Sequence, residues 1–214
     1  TSRRVYAGAC VDTERVEDAF DWSSVDPRKP LVSCAAGSHG GYWNGENRAR
    51  LIRSVVESLG ARPDFEVLLQ TTGDDEGRAL APLPKNIHAA PWYPQLEVLS
   101  RASLLITHGG FGTVREALTF GVPMIVFPCG VDQPGNAVRV ARLGVGIAGD
   151  IRTVTTTTMA AMLREIEKPL YRENALRISS ALRRENTCVA ALRVIEGLAD
   201  DADDRPAMGH VVVA

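Results

Sequence analysis

Residues 104–118, LLITHGGFGTVREAL, contain the transition that decides the fold. An apolar run ends at a histidine and three glycines, and apolar residues then recur at helical spacing at Val114, Ala117 and Leu118. Glycine loses more conformational freedom on folding than any other residue, so this cluster requires a physical reason. Either the loop adopts backbone angles that other residues avoid, or another group approaches its backbone closely.

The same order of apolar run, loop and amphipathic segment recurs along the chain. Strands that are nearly all apolar and alternate with helices predict a parallel sheet covered on both faces, a Rossmann-like α/β fold. The apolar runs predict strands at 31–36, 65–71, 104–107 and 124–128, followed by the apolar segment 145–148. Helical spacing predicts helices at 51–59, 96–101, 114–118 and 134–143, and two or three more over 155–199, broken near Pro169 and Asn186.

The pattern divides the chain into three parts. Residues 1–30 lack a sustained period and contain two prolines, so we expect a connecting segment. Residues 31–199 form the predicted domain, and residues 200–214 read as a flexible tail.

Composition excludes several classes of function. The 214 residues carry a formal net charge of −2 with scattered Lys and Arg, so we expect no nucleic-acid partner. No apolar stretch has the length of a membrane span and no secretory signal opens the chain, so we expect a cytoplasmic protein. The four cysteines form no C-x-x-C pair and the four histidines no metal-ligand spacing, so we expect no metal.

The glycine loop suits a phosphate group. In a parallel α/β sheet, ligands bind outside the carboxyl ends of the strands, and a helix N-terminus there presents unpaired N–H groups. His108, Gly110 and Thr113 are the predicted phosphate contacts. Ser38, in the glycine-rich loop after the first strand, is a weaker candidate.

Glu116 lies three residues after Thr113, on the same helix face and one turn further along. A carboxylate displaced by a turn from a phosphate can accept hydrogen bonds from two ribose hydroxyls. This spacing favours a nucleoside diphosphate, although Glu116 taken alone is better explained as a residue that caps and solvates its helix.

Two further loops contribute candidates. Asp132 and Gln133 place a carboxylate beside an amide after the strand 124–128, a pair suited to sugar hydroxyls. Asn136 is explained as well by a helix cap as by ligand contact. Trp92 stands in a loop between Pro91 and Pro94, where a fixed indole can stack on a base, although most tryptophans are packing residues.

These segments together resemble the donor-binding half of family 1 glycosyltransferases, two-domain GT-B enzymes that use nucleotide sugars. The resemblance covers residues 92–146 through WYPQLEVL, LLITHGGFGTVREALTFGVPMIVFP and VDQPGNAVRVARLGVG. It implies that the Trp92 ring stacks on the base, the Tyr93 backbone reads the base edge and Gln95 reaches the nucleoside. It also implies that Glu116 holds the ribose and that Asp132 and Gln133 hold the donor sugar. The remaining implied contacts, to the diphosphate, are Ser38, His108, Gly110 and Thr113, with Asn136 nearby.

The resemblance also implies what this chain does not supply. In the family, the acceptor pocket and the general base belong to an amino-terminal domain that has no counterpart here, so no catalytic base is assigned. The implied reaction is an inverting, metal-independent hexosyl transfer, with His108 and the helix end stabilising the departing diphosphate. We expect the chain alone to bind the donor without useful transfer, and an exposed inter-domain face to favour a homodimer.

Several alternatives stay open. An NAD-linked oxidoreductase shares the sheet, but its glycine motif normally follows an early strand. A GT-B sugar-nucleotide epimerase and a non-catalytic nucleotide-sugar subunit acting with a partner also fit. Asp132 and Gln133 favour UDP-glucose as the donor over a thymidine diphosphate deoxysugar, and a small lipophilic natural product is the expected acceptor.

Overall fold

A computed structural model describes residues 9–35, 45–185, 192, 193 and 195–197. Its centre is a six-stranded, all-parallel sheet with the order β3-β2-β1-β4-β5-β6. The strands are β1 (Leu31–Ala35), β2 (Glu66–Gln70), β3 (Ile87–Ala90), β4 (Ala102–Thr107), β5 (Met124–Val126) and β6 (Gly146–Ala148). The Rossmann-like α/β fold predicted from the sequence is confirmed.

Seven helices connect and cover these strands in the described part of the chain. They are α1 (Gly45–Gly60), α2 (Asp74–Ala79), α3 (Gln95–Arg101), α4 (Phe111–Phe120), α5 (Gln133–Arg142), α6 (Thr156–Ile166) and α7 (Pro169–Glu185). Successive residues of β4 point to opposite faces: Leu105 packs into one apolar core, and Leu104 and Ile106 pack into the other. Because both faces of the central strands β1, β4 and β5 are covered, apolar residues make up most of these strands.

The strand register aligns the carboxyl ends of three strands along one edge of the sheet. Ala35 at the end of β1 pairs with Thr107 at the end of β4, and Thr107 pairs with Val126 at the end of β5. The carboxyl ends of these three adjacent strands are therefore level. The loops that follow them begin side by side, where a ligand of this fold class binds.

Sequence periodicity missed two short elements. The strand β3 has the sequence IHAA, and only Ile87 in it is fully buried because β3 lies at the edge of the sheet. The helix α2 has six residues, DDEGRA, which are too few and too polar for a clear apolar stripe. The loop that contains Ser38 lies outside the described residues, as does the expected tail at 200–214.

The glycine cluster has two different structural causes. Gly109 has φ +84°, and a Cβ atom there would lie 2.5 Å from Val126 Cγ1 on β5. At Gly110, a Cβ atom would lie 2.7 Å from Nε2 of the His108 ring. Gly112 has nothing within 4 Å of its Cβ position, so the packing leaves open space beside the first turn of α4. Both explanations raised by the sequence therefore apply within one loop.

We expect Gly109→Ala to lower the free energy of unfolding by about 2–4 kcal/mol, because it combines a left-handed backbone with a clash against β5. Gly112→Ala is the matched control, since its methyl group meets open space and alanine favours a helical turn. Urea denaturation of both variants measures the difference. Equal stability of the two would contradict this account of the loop.

Candidate functional site

Three segments converge at the level strand ends. The turn 108–110 follows β4 and opens α4, and the loop 127–132 follows β5 and opens α5. The third segment, 91–94, leaves the edge strand β3 and leads into α3, which packs against β1 and β4. The segment thus crosses back towards the middle of the sheet.

Tyr93 fixes this third segment. Its hydroxyl donates a hydrogen bond to the carbonyl oxygen of Cys34 at 3.1 Å and lies 3.2 Å from the hydroxyl of Ser33, both on β1. Burial raises the pKa of Tyr93, so its phenol stays a neutral donor. The neighbouring Trp92 side chain stays 44% exposed. An indole held in a tethered loop and left exposed is suited to stacking on a ligand.

His108 lies between the strand ends. Burial lowers its pKa, and the opposing effects of a hydrogen bond with the Ala35 backbone and of the Asp132 charge are smaller. The ring is therefore neutral at pH 7, and its single N–H is the group that can donate to the Ala35 backbone carbonyl. It packs over Gly110, the residue that precedes the first turn of α4.

The N-terminus of α4 has no side-chain cap hydrogen bond. The first N–H groups of a helix have no partner within the helix, and they lie at the positive end of its dipole. Thr113, which is half-buried, adds a hydroxyl in the same turn. This end of α4 therefore presents several hydrogen-bond donors towards the edge where Gly112 leaves open space.

One turn further along α4, Glu116 belongs to a polar cluster. Gln95 Nε2 donates to Glu116 Oε2 and lies 3.4 Å from the Thr113 hydroxyl. Arg15 Nη1 donates to Glu116 Oε1 at 2.6 Å. Gln95, Thr113 and Glu116 were all predicted from the sequence, and the structure brings them together. Arg15 was not predicted, because the aperiodic segment that carries it shows no motif.

Asn136 connects the turn 108–110 to the loop 127–132. Asn136 Nδ2 donates to the Gly109 carbonyl oxygen at 2.9 Å and to Asp132 Oδ2 at 2.8 Å. Asn136 is buried, whereas Asp132 is exposed. Both amide protons of Asn136 are thus used within the protein, so its side chain sets the distance between the glycine turn and α5.

Gln133 shapes its own loop. Its Oε1 atom accepts hydrogen bonds from the backbone N–H groups of Cys129 at 2.7 Å and Gly130 at 3.2 Å. The Gln133 side chain is buried. Because its Oε1 atom already accepts two hydrogen bonds, the amide nitrogen is the atom that can bind another group. Val131, just before Asp132, has φ +56°, an unusual angle for a β-branched residue, and is 73% exposed.

The structure therefore gathers ten of the eleven predicted site residues along one edge, while Ser38 lies outside the described residues. The ten are Trp92, Tyr93, Gln95, His108, Gly110, Thr113, Glu116, Asp132, Gln133 and Asn136. Within the part of the chain that the structure describes, no group of three or more His, Cys, Asp or Glu residues is arranged to hold a metal ion. In the same part, no helix is both long and apolar enough to cross a bilayer.

Comparison with known proteins gives relatives of one kind. Over 203 residues the chain is 29% identical to demethyllactenocin mycarosyltransferase of Streptomyces fradiae, covering 94% of this chain and 42% of that protein. It is 31% identical over 196 residues to oleandomycin glycosyltransferase of Streptomyces antibioticus, covering 89% of this chain and 43% of that protein. The chain thus spans less than half the length of these relatives.

Solved structures that are similar to this chain are also glycosyltransferases. The glycotransferase of kitacinnamycin superposes with a TM-score of 0.70 at 31% identity, over 92% of this chain and 47% of that one. The calicheamicin glycosyltransferase CalG4 shares the fold, with a TM-score of 0.70 at 22% identity, over 83% of this chain and 45% of that one. The resemblance to GT-B glycosyltransferases inferred from the sequence is confirmed.

The family model described as "Erythromycin biosynthesis protein CIII-like, C-terminal domain" matches residues 53–190, which contain every described site residue except Arg15. Since this match spans well over half of the chain, the chain belongs to the erythromycin biosynthesis protein CIII-like C-terminal domain family, within the GT-B glycosyltransferases.

Proposed function

We propose that this chain is the donor-binding half of an inverting glycosyltransferase that transfers a hexose from a nucleoside diphosphate sugar to a hydroxyl of a small lipophilic acceptor. One observation carries the proposal. The uncapped N-terminus of α4 presents donors for a diphosphate, and Glu116 stands one turn behind it beside Gln95. A diphosphate followed by a ribose has its anionic and hydroxyl groups in the same order.

The nucleoside would lie between α3 and α4. Trp92, exposed in its tethered loop, would stack on the base, and the Tyr93 backbone would read the base edge. Gln95 and Glu116 would receive the ribose. Base stacking on an aromatic ring tolerates different bases, so Trp92 would contribute affinity for any base. The Tyr93 backbone would discriminate between bases.

The diphosphate would bind at the turn 108–110. Backbone N–H groups of the first turn of α4 and the Thr113 hydroxyl would donate to its oxygens. The second ring nitrogen of His108 would donate as well once the bound diphosphate has favoured protonation of the ring. Ser38, which lies outside the described residues, stays a further predicted diphosphate contact. These donors would stabilise the charge that develops on the leaving diphosphate during transfer, without a metal ion.

The donor sugar would lie against the loop that opens α5. Asp132, whose carboxylate is exposed, can accept hydrogen bonds from sugar hydroxyls, and the Gln133 amide nitrogen can donate one. Asn136 would position this pair through the glycine turn. A carboxylate beside an amide favours a fully hydroxylated hexose, so UDP-glucose is our first candidate donor and a thymidine diphosphate sugar the second.

The acceptor and the general base would come from an amino-terminal domain or a partner subunit. The exposed side chains of Trp92, Phe111 and Val131 lie along the site edge and would face that domain. In the reaction, the base would remove the proton of the acceptor hydroxyl as its oxygen attacks the anomeric carbon, and the nucleoside diphosphate would leave. A homodimer through the same face and a cytoplasmic location stay predictions.

Nucleotide binding tests the site directly. We expect UDP or TDP to bind the chain in a calorimetric titration, and Trp92→Ala to weaken binding by roughly five- to a hundredfold through loss of stacking. Trp92→Phe, which keeps an aromatic face, is the matched control and should lose much less. Binding of NAD in place of UDP and TDP, or equal affinities for the two Trp92 variants, would contradict the assignment.

The pH dependence of binding tests His108. Its pKa in the ligand-free protein lies below the ordinary value, and a bound diphosphate would raise it by favouring the charged ring. Binding would then take up a proton, so His108 should contribute an affinity that grows as the pH falls through the raised pKa and levels off below the lowered one. Titrations between pH 8 and 5 measure this contribution.

His108→Gln keeps a neutral hydrogen-bond donor but cannot be protonated. Subtracting its pH profile removes the titration of the nucleotide's own phosphate, which is common to both proteins. Parallel profiles for the two proteins would show that His108 does not contact the diphosphate.

We expect this chain to bind the donor nucleotide but to show no transfer from UDP-glucose to a simple phenolic acceptor, because none of its residues is assigned as the base that removes the acceptor proton. Product formation is followed by chromatography, with nucleotide binding by the same preparation as proof of a competent fold. Sustained turnover by the chain alone would overturn the assignment of the base to another domain.

A further inference from the structure

The connecting segment before β1 is fastened to the site at three points. The Ala9 carbonyl oxygen accepts a hydrogen bond from Arg115 Nη1 on α4 at 2.7 Å. Arg15 donates to Glu116, and Glu17 Oε2 accepts from the backbone N–H groups of Leu96 at 2.8 Å and Glu97 at 3.3 Å, in the first turn of α3. The described part of the segment, residues 9–30, contains no helix or strand, yet it reaches both helices that carry the proposed nucleoside contacts.

Arg15 is held in place by a second carboxylate. Its Nε and Nη2 atoms both donate to Glu17 Oε1, at 3.2 and 2.8 Å, while Nη1 donates to Glu116 Oε1 at 2.6 Å. Partial burial lowers the pKa of Arg15, but the hydrogen bonds and charges of Glu17 and Glu116 together outweigh it, so the pKa is raised. Because Glu17 is itself fixed by two backbone donors, the guanidinium is part of a built arrangement.

The two carboxylate oxygens of Glu116 therefore have different partners. Oε1 is paired with the charged Arg15, and Oε2 accepts from the neutral amide of Gln95. Only about a tenth of the Glu116 side chain is exposed, so the carboxylate has little free surface. A sugar hydroxyl displaces or shares the neutral amide at Oε2 more easily than it displaces a charge-assisted hydrogen bond at Oε1.

We propose that Arg15 is a specificity-determining residue of the donor site: by occupying one oxygen of Glu116, it leaves the carboxylate able to hold one ribose hydroxyl instead of two. The site therefore does not distinguish a ribonucleoside diphosphate from its 2′-deoxy counterpart. This inference rests on the proposed function, because it assumes that Glu116 faces the ribose.

The test uses UDP and 2′-deoxy-UDP, which differ only in the 2′-hydroxyl. In the unaltered chain we expect their dissociation constants to agree within about threefold. Arg15→Ala frees Oε1 for the 2′-hydroxyl, so UDP should then bind about tenfold more tightly than 2′-deoxy-UDP, the gain expected from one hydrogen bond to a charged acceptor. Both ligands carry the same charge, so a general electrostatic or folding effect of the substitution cancels in this ratio.

Arg28→Ala is the matched control, since it removes one positive charge from the same segment, at a residue paired with Asp26 instead of Glu116. It should leave the ratio at the value of the unaltered chain. A ratio above about threefold in the unaltered chain, or one that Arg15→Ala leaves unchanged, overturns the role of Arg15 while leaving the nucleotide site intact. Failure of both nucleotides to bind the unaltered chain refutes the proposed function, and this inference with it.

Discussion

The close packing of the glycine turn against β5 is the constraint on which the site depends. Gly109 fits over Val126 only because it has no side chain and adopts a positive φ. That fit directs the chain from the end of β4 into α4, and Asn136 then ties the Gly109 carbonyl oxygen to α5. The distance between the proposed diphosphate loop and the proposed sugar loop is thus set by packed, buried contacts within the protein.

The polar groups of the edge divide into those that shape the site and those that stay available. Tyr93 is buried and donates its hydrogen bond to β1. Asn136 is also buried and donates to the glycine turn and to Asp132. Trp92 and Asp132 are exposed beside them. This division follows from the cost of burial, since a buried polar group without a partner destabilises the fold. An exposed polar group hydrogen-bonds to water when no ligand is bound.

Glu116 shows how a carboxylate can be both structural and available for binding. It is buried to about nine-tenths, and a charge at that depth requires partners, which Arg15 and Gln95 provide. Those partners come from the connecting segment and from α3, so the acceptor strength of Glu116 is set by groups far away in the sequence. If Glu116 holds the ribose as proposed, a change in the connecting segment would alter ligand choice without changing the loops that contact the ligand.

Much of this protein was determined by local sequence. Apolar runs interrupted by glycine loops fixed the parallel sheet and placed the turn 108–110, Trp92 and Glu116 at loop and helix positions, because periodicity and glycine usage act over a few residues. Only the tertiary structure decided that Gly109 is required by Val126, that Gln95 meets Glu116 and that Arg15 shares the same carboxylate. Those contacts join residues separated by 17, 21 and 101 positions, and a linear pattern carries no signal for them because they arise from strand order and helix packing.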